Sequence, residues 1–167
     1  FRATGQTGVF ISGRGVAIDA VVADFIAGAA EWLSPAAAPG HWDVVEGQGS
    51  LFHPSFAGVS LGLLHGAQPD CFVVCHEPTR TTMRGVRHAL PSIADVIEAT
   101  VAAGRLTNPA IRPLGIAVNT EHLDETEARR VCAEAARLHD LPASDPVRFG
   151  VAPLVDRLVA LYPAAPC

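Results

Sequence analysis

Residues 41–54, HWDVVEGQGSLFHP, run a short apolar segment into a carboxylate, Glu46, and then into Gly47, Gln48, Gly49 and Ser50. A carboxylate fixed at the end of a buried strand can take a proton or hold a hydrated Mg²⁺. Glycines beside it let backbone amides approach phosphate or carboxylate oxygens closely. Similar polar clusters recur in TGQTG, with Thr7 and Gly8, in HEPTR, with His76, Glu77, Thr79 and Arg80, and at Asn119 with Thr120. For each the competing reading is ordinary turn chemistry or a solvated strand end.

His53 and His76 are the general-base candidates, because both adjoin these polar ends and imidazole titrates near neutral pH. Arg14, in SGRGVAID, stands ahead of a helix where a guanidinium clamps a carboxylate bidentately, with a surface salt bridge as the alternative. Asn119 reads as a base-contacting amide or as a turn former. Asp43 reads as structural, His65 as a packed or capping histidine, and Asp19 as an N-cap. A serine hydrolase is discounted, since GQGSL is not GxSxG and places Ser50 one position late.

Elements of two kinds must position these groups. Strands are expected at 42–46, at Cys71–His76, at 114–119 and, weakly, at 143–147; three of them are apolar on both faces, as a parallel sheet covered by helices requires. Helices are expected at 19–33, 57–65, 93–103, 125–138 and 151–161. Ser92 with Asp95, and Asp124 with Glu127, supply N-terminal caps. Alternation of the two gives an α/β fold, a doubly wound, mostly parallel sheet with helices on both faces. In such sheets ligands sit outside the carboxyl ends of the strands, where the four polar clusters are expected to converge. The first helix has a wider apolar arc than one sheet face needs, which is either deep burial or a subunit or domain contact.

The 167 residues, 49% hydrophobic, are enough for one substantial core and read as a single domain. A net charge of −5 with scattered arginines argues against nucleic acid as a partner. No apolar run reaches membrane-spanning length and no secretory start is visible, so no membrane partner and a cytoplasmic location are expected. All twelve basic residues are Arg, with no Lys. Cys71 and Cys75, about 13 Å apart along a strand, cannot pair with each other. Cys75, His76 and Glu77 lack metal-ligand spacing, and the cysteines read as buried thiols.

DVVEGQGSLFHP resembles a segment of dethiobiotin synthetase and its P-loop relatives whose glutamate serves the Mg²⁺ and nucleotide site. FRATGQTG is similar to their substrate-contacting loop, and GIAVN to the strand whose terminal Asn contacts the base. The order RATGQTG, GRGVAIDAVVADFIAGAAE, HWDVVEGQGSLFHPSFAGVSLGLLHG, CHEPTRTTMRG and GRLTNPAIRPLGIAVNT is more closely similar to the C-terminal domain of a family long of unknown function. Its characterised members are D-glutamate N-acetyltransferases. This resemblance implies a P-loop NTPase-like fold, acetyl-CoA as co-substrate, and a longer two-domain parent of which this is a C-terminal fragment. A Walker A loop needs a lysine, so this chain lacks that loop and the strand before it.

Two enzymatic readings follow. The first is acetyl transfer from acetyl-CoA to the amino group of D-glutamate or a related amino acid. It needs a base (His53 or Glu46), oxyanion donors from the glycine loop, and a clamp from Arg14 or Arg80. The second is Mg²⁺-dependent, ATP-using carboxylate activation, with Glu46 on the metal and Asn119 on the base. A non-catalytic nucleotide- or CoA-binding domain is the remaining class. A homo-oligomer is compatible with the apolar first helix, and the parent's own N-terminal domain is the expected partner.

Overall fold

A computed structural model describes residues 2–38 and 40–163. The chain divides into two compact units, one formed by residues up to 70 with 99–111, the other by 71–98 with 112 onward.

Among its described residues the first unit holds α1 (Gln6–Ser12), α2 (Ile26–Leu33) and α3 (Ala57–Ala67). Helix α1 ends at Gly13, which takes the left-handed conformation that glycine adopts without steric cost. Ala3 bridges to Gly15, whose φ of 114° and contact with the Ala3 backbone leave no room for a side chain. Helices α2 and α3 cross where Gly62 and Gly66 face Ile26, Ala27 and Ala30; a Cβ on either glycine would overlap them. Ile18, Ala30 and Leu63 form the buried core, with Val16, Ala29, Leu33 and Val59 against it.

The second unit is built on a parallel sheet of β1 (Cys71–His76), β2 (Arg112–Val118) and β3 (Ala143–Ser144), in that order. Between them run α4 (Ile93–Gly104), whose first half belongs to this unit, and α5 (Glu125–His139), followed by α6 (Ala152–Leu161). Ile116 and Val118 of β2 pack with Cys132 and Ala135 of α5 and with Ile93 and Ile97 of α4. Gly115, on the opposite parity, lies against Leu154 of α6. Since successive strand residues point to opposite faces, β2 is covered on both. Ser92 and Asp95 exchange hydrogen bonds as a capping box at α4, and Asp124 accepts from the Glu127 amide at α5 (2.9 Å).

Several expectations change. Residues 42–46 form no strand, and Val44 is 97% exposed. Among the described residues no backbone hydrogen bond pairs with residues 43–46, so a sequence of strand composition has no ladder to join. The helix expected over 19–33 is two 3₁₀ turns, Ile18–Ala20 and Ala23–Phe25, followed by α2. The adjacent β-branched Val21 and Val22 interrupt it. Asp19 caps no helix; its carboxylate accepts from Gln6 Nε2 (3.1 Å). The apolar arc of that segment is not all buried, since Val22, Phe25 and Trp32 are exposed. Most of TGQTG, read as loop, opens α1. Cys75 is exposed, whereas Cys132 is buried; Cys167 lies outside the described residues.

Candidate functional site

In the first unit a cleft of about 770 Å³ is lined by residues 2–5 and Gly8, by residues 41–46 and Gln48, and by parts of α2 and α3. Its polar groups include Thr4, His41, Asp43, Glu46 and Gln48. Gln48 Nε2 donates to Thr4 Oγ1 (2.9 Å), and the Gln48 carbonyl accepts from Ser60 Oγ on α3, so the loop is tied at both ends of one residue. His41 and Asp43 face each other at 3.2 Å. Arg2 also lines the cleft, but its guanidinium donates to the Trp32 and Leu33 carbonyls at the end of α2. Those carbonyls have no partner within the helix, and a cation satisfies them.

The structure therefore brings Gly8, Glu46 and Gln48 into one cleft with Thr4 and Gly5. It does not bring Thr7, Arg14, Gly47, Gly49, Ser50 or His53 to that lining. Thr7 is exposed on α1, and Arg14 is exposed beyond its end. Gly49 has a φ of 47° and a position where a Cβ would meet Phe56 Cβ at 2.6 Å, so its glycine is required by the turn. Ser50 Oγ accepts from the Phe52 amide (3.2 Å). His53 is buried and stacked on Phe56, with ring centroids 4.5 Å apart, and its Nδ1 accepts from the Ser55 amide (3.1 Å). The neutral ring then carries its proton on Nε2, a tautomer fixed by the turn that leads into α3. His65, read as packed or capping, donates from Nε2 to the Ala103 carbonyl at 3.0 Å.

In the second unit, His76 closes β1 and Asn119 follows β2, joined by the Asn119 amide donating to the His76 carbonyl (2.8 Å). Burial lowers the His76 imidazole below its ordinary value; Glu77 opposes this, and His139 adds to it. Glu77 pairs with Arg80 and accepts from Thr79 Oγ1 (3.4 Å), so the Arg80 charge is met inside its own turn. Asn119 Oδ1 accepts from the Glu121 amide (3.0 Å), the turn-forming role weighed against a base contact.

A polar node that the sequence reading overlooked lies beside Asn119. Asp145, almost fully buried, accepts from the Thr120 amide (3.0 Å) and hydroxyl (2.5 Å) and from the Val147 and Arg148 amides. Burial alone would raise this carboxyl; the hydrogen bonds from Thr120, Arg148 and Val147 outweigh it and hold the pKa at about 2. Arg148 in turn donates to the Thr120 and Leu123 carbonyls. The signal in the sequence was SDPVR after a strand, an acid placed to accept from amides two and three residues on. Among the described residues no group of three or more His, Cys, Asp or Glu is arranged to hold a metal ion. A Mg²⁺ beside Glu46 would take most of its ligands from water and from a nucleotide's own phosphates.

Sheet, helices and polar strand ends define an α/β domain of the kind that binds small ligands at the rim of its sheet. Residues 1–155 match the model of the DUF1611 C-terminal domain, described as a domain of unknown function and a P-loop domain, and the chain belongs to that family. It is 55% identical over 159 residues to a D-glutamate N-acetyltransferase from a Pseudoalteromonas species, a match covering 95% of this chain and 48% of that protein. It is 49% identical over 162 residues to a D-glutamate N-acetyltransferase from Tritonibacter scottomollicae, covering 96% and 49% respectively. The crystal structure of a DUF1611 family protein from Anabaena variabilis superposes with a TM-score of 0.82 at 36% identity, over 96% of this chain and 48% of that one. The chain thus spans about half the length of the relatives it matches. No helix among the described residues is long and apolar enough to cross a membrane.

Proposed function

We propose that the parent protein transfers the acetyl group of acetyl-CoA to the amino group of D-glutamate or a closely related amino acid. The observation that carries this reading is identity of 55% and 49%, over nearly the whole chain, with two D-glutamate N-acetyltransferases. In the reaction a base removes a proton from the substrate ammonium, and the amine attacks the thioester carbonyl. The C–N bond forms, the C–S bond breaks, and the CoA thiolate leaves, taking up the second proton that the nitrogen releases as it becomes an amide.

Glu46 is the favoured base or ammonium-holding group, because it is exposed and lines the same cleft as Gln48 and Thr4. His53 is less suited, since its ring is buried in the turn. Of the loop amides proposed as oxyanion donors, that of Gln48 belongs to the cleft lining with Glu46, whereas Gly47 and Gly49 lie off it, so the role falls to Gln48. Of the two clamp candidates, Arg14 forms no ion pair among the described residues but lies off the cleft lining, and the Arg80 charge is met by Glu77. His76, Glu77, Thr79 and Asn119 gather at the strand ends of the second unit, the kind of position at which α/β sheets hold small ligands.

The parent is taken to be a cytoplasmic homo-oligomer with a further N-terminal domain, its P-loop sheet doubly wound around strands that this chain does not supply. Mg²⁺·ATP use is the competing chemistry, with Glu46 holding the ion. No lysine of this chain can serve the phosphates. The deciding test is acetylation of D-glutamate by the full-length protein with Mg·ATP present or omitted, and with Glu46→Gln alongside. Turnover without ATP, lost in Glu46→Gln, supports acyl transfer; ATP hydrolysis without acetylation overturns it.

A further inference from the structure

Residues 77–92 join the carboxyl end of β1 to the first turn of α4, a connection well beyond the roughly two to six residues usual between a strand and a helix. Its middle is an ordered hairpin. The Leu90 amide donates to the Thr81 carbonyl (3.0 Å) and the Met83 amide to the His88 carbonyl (2.8 Å), Thr82 bridges antiparallel to Ala89, and Met83 is buried. Between Met83 and His88 the chain turns through Arg84, Gly85, Val86 and Arg87, with Gly85 at a φ of 77° that a side chain would strain. Arg84, Arg87 and His88 are exposed. Counting Arg80, three of the twelve arginines fall within residues 80–87, and no Asp or Glu occurs from Pro78 to Ala94. Other arginines are met locally: Arg129 and Arg130 by Glu125, Glu127 and Glu134, and Arg80 itself by Glu77. Arg87 forms no ion pair among the described residues. Like charges held at one turn repel each other, and an anion between them removes that cost.

We propose that Arg84 and Arg87, at the tip of this hairpin, hold phosphate groups of the acetyl-CoA co-substrate, and that Met83 anchors the hairpin for them. The inference rests on the acetyl-transfer reading above and adds to it a seat for the donor. The class of ligand follows from charge and place. CoA carries a diphosphate and a 3′-phosphate, a concentration of negative charge that a protein of net charge −5 repels unless it presents a local positive field. Guanidinium forks match phosphate oxygens bidentately, and a chain without lysine has no other permanently charged side chain for them. The hairpin leaves from His76, at the carboxyl end of a parallel strand, the edge at which such sheets receive ligands. The buried Met83 and the paired backbone on either side of the turn fix the two arginines at a defined spacing, which a mobile loop would not. Arg80 stays outside the clamp, because Glu77 neutralises it.

Calorimetric titration of the full-length protein with CoA and with ATP tests it, beside the KM for acetyl-CoA and the KM for D-glutamate. The double variant Arg84→Ala, Arg87→Ala is expected to weaken CoA binding, and to raise the KM for acetyl-CoA, by roughly tenfold or more, the loss of charge-assisted hydrogen bonds to phosphate. The KM for D-glutamate should stay within about twofold, as a group that touches only the donor requires. An unchanged CoA affinity in a double variant that still folds overturns the proposal and leaves the acetyl-transfer reading in place. A raised KM for D-glutamate with CoA binding intact also overturns it, because the hairpin then holds the acceptor's carboxylates. If the unsubstituted protein binds ATP but not CoA and acetylates nothing, the acetyl-transfer reading falls and the proposal falls with it. Should the double variant fail to fold, Arg87→Gln decides alone: a several-fold loss of CoA affinity supports the clamp, and no loss overturns it.

Discussion

Gln48 and Thr4, forty-four positions apart, meet through a 2.9 Å hydrogen bond from Nε2 to Oγ1. That single contact joins the two glycine-rich clusters of the first unit and sets the spacing of the cleft in which Glu46 sits. A side-chain hydrogen bond of this kind contributes a net of about 1 kcal/mol. Gln48→Leu and Thr4→Val are each expected to lower stability by about that amount. The double variant should cost less than the sum of the two, since either one removes the same bond. Denaturant titration of the four proteins measures the coupling. Full additivity would show that the two side chains do not depend on each other.

The crossing of α2 and α3 is set by the absence of side chains at Gly62 and Gly66. Gly66→Ala places a methyl group against the Ala27 carbonyl and the Ala30 side chain, and is expected to destabilise by about 1–3 kcal/mol through overpacking. Gly58 lies on the same helix with nothing within 4 Å of where its Cβ would be. Gly58→Ala should therefore stabilise by up to about 1 kcal/mol, through helix propensity alone. Opposite shifts in thermal melting are the expected result. Two shifts of the same sign would show that helix propensity and not packing governs α3.

Asp145→Asn should cost about 2–3 kcal/mol near neutral pH, because the amide side chain offers one acceptor oxygen in place of a charged pair serving Thr120, Val147 and Arg148. The pH dependence follows from the depressed carboxyl. With a folded pKa of about 2 against an ordinary 3.8, the stabilisation is present above pH 4 and drains away as pH falls toward 2. Urea unfolding across that range should show the gap between the two proteins closing. A gap independent of pH would mean that the shape of the side chain, and not its charge, is what the node requires.

What could be read from residue order divides along the range of the interactions. The capping box at Ser92 and Asp95, the cap at Asp124 and the strand Cys71–His76 depend on neighbours within a few positions, and all were legible. The Thr120–Asp145 node joins residues 25 apart, and neither sequence neighbourhood announces the other. Segment 42–46 reads as a strand by composition and forms none, because a strand is a property of two segments and residues 43–46 pair with no described backbone. Glu46 lies in a cleft with other polar groups, whereas His53, the same kind of candidate by sequence, is taken up through Nδ1 by its own turn.

His76 gives the remaining prediction. Its imidazole is half-buried at the end of β1, and burial holds its pKa below 6.5, with Glu77 opposing and His139 reinforcing. The ring is consequently neutral at pH 7 and able to accept a proton. A group whose folded pKa is depressed contributes stability that is present above its unfolded value, here 6.5, and is lost as pH falls through the folded value. Unfolding free energy should decline as the protein is acidified below pH 6.5, and His76→Asn should flatten that decline. If His76 also serves turnover, the acid limb of kcat/KM has its midpoint below 6.5 and vanishes in the variant, while the stability effect persists. An acid limb that survives His76→Asn would assign the proton transfer to another group, with Glu46 the first to test.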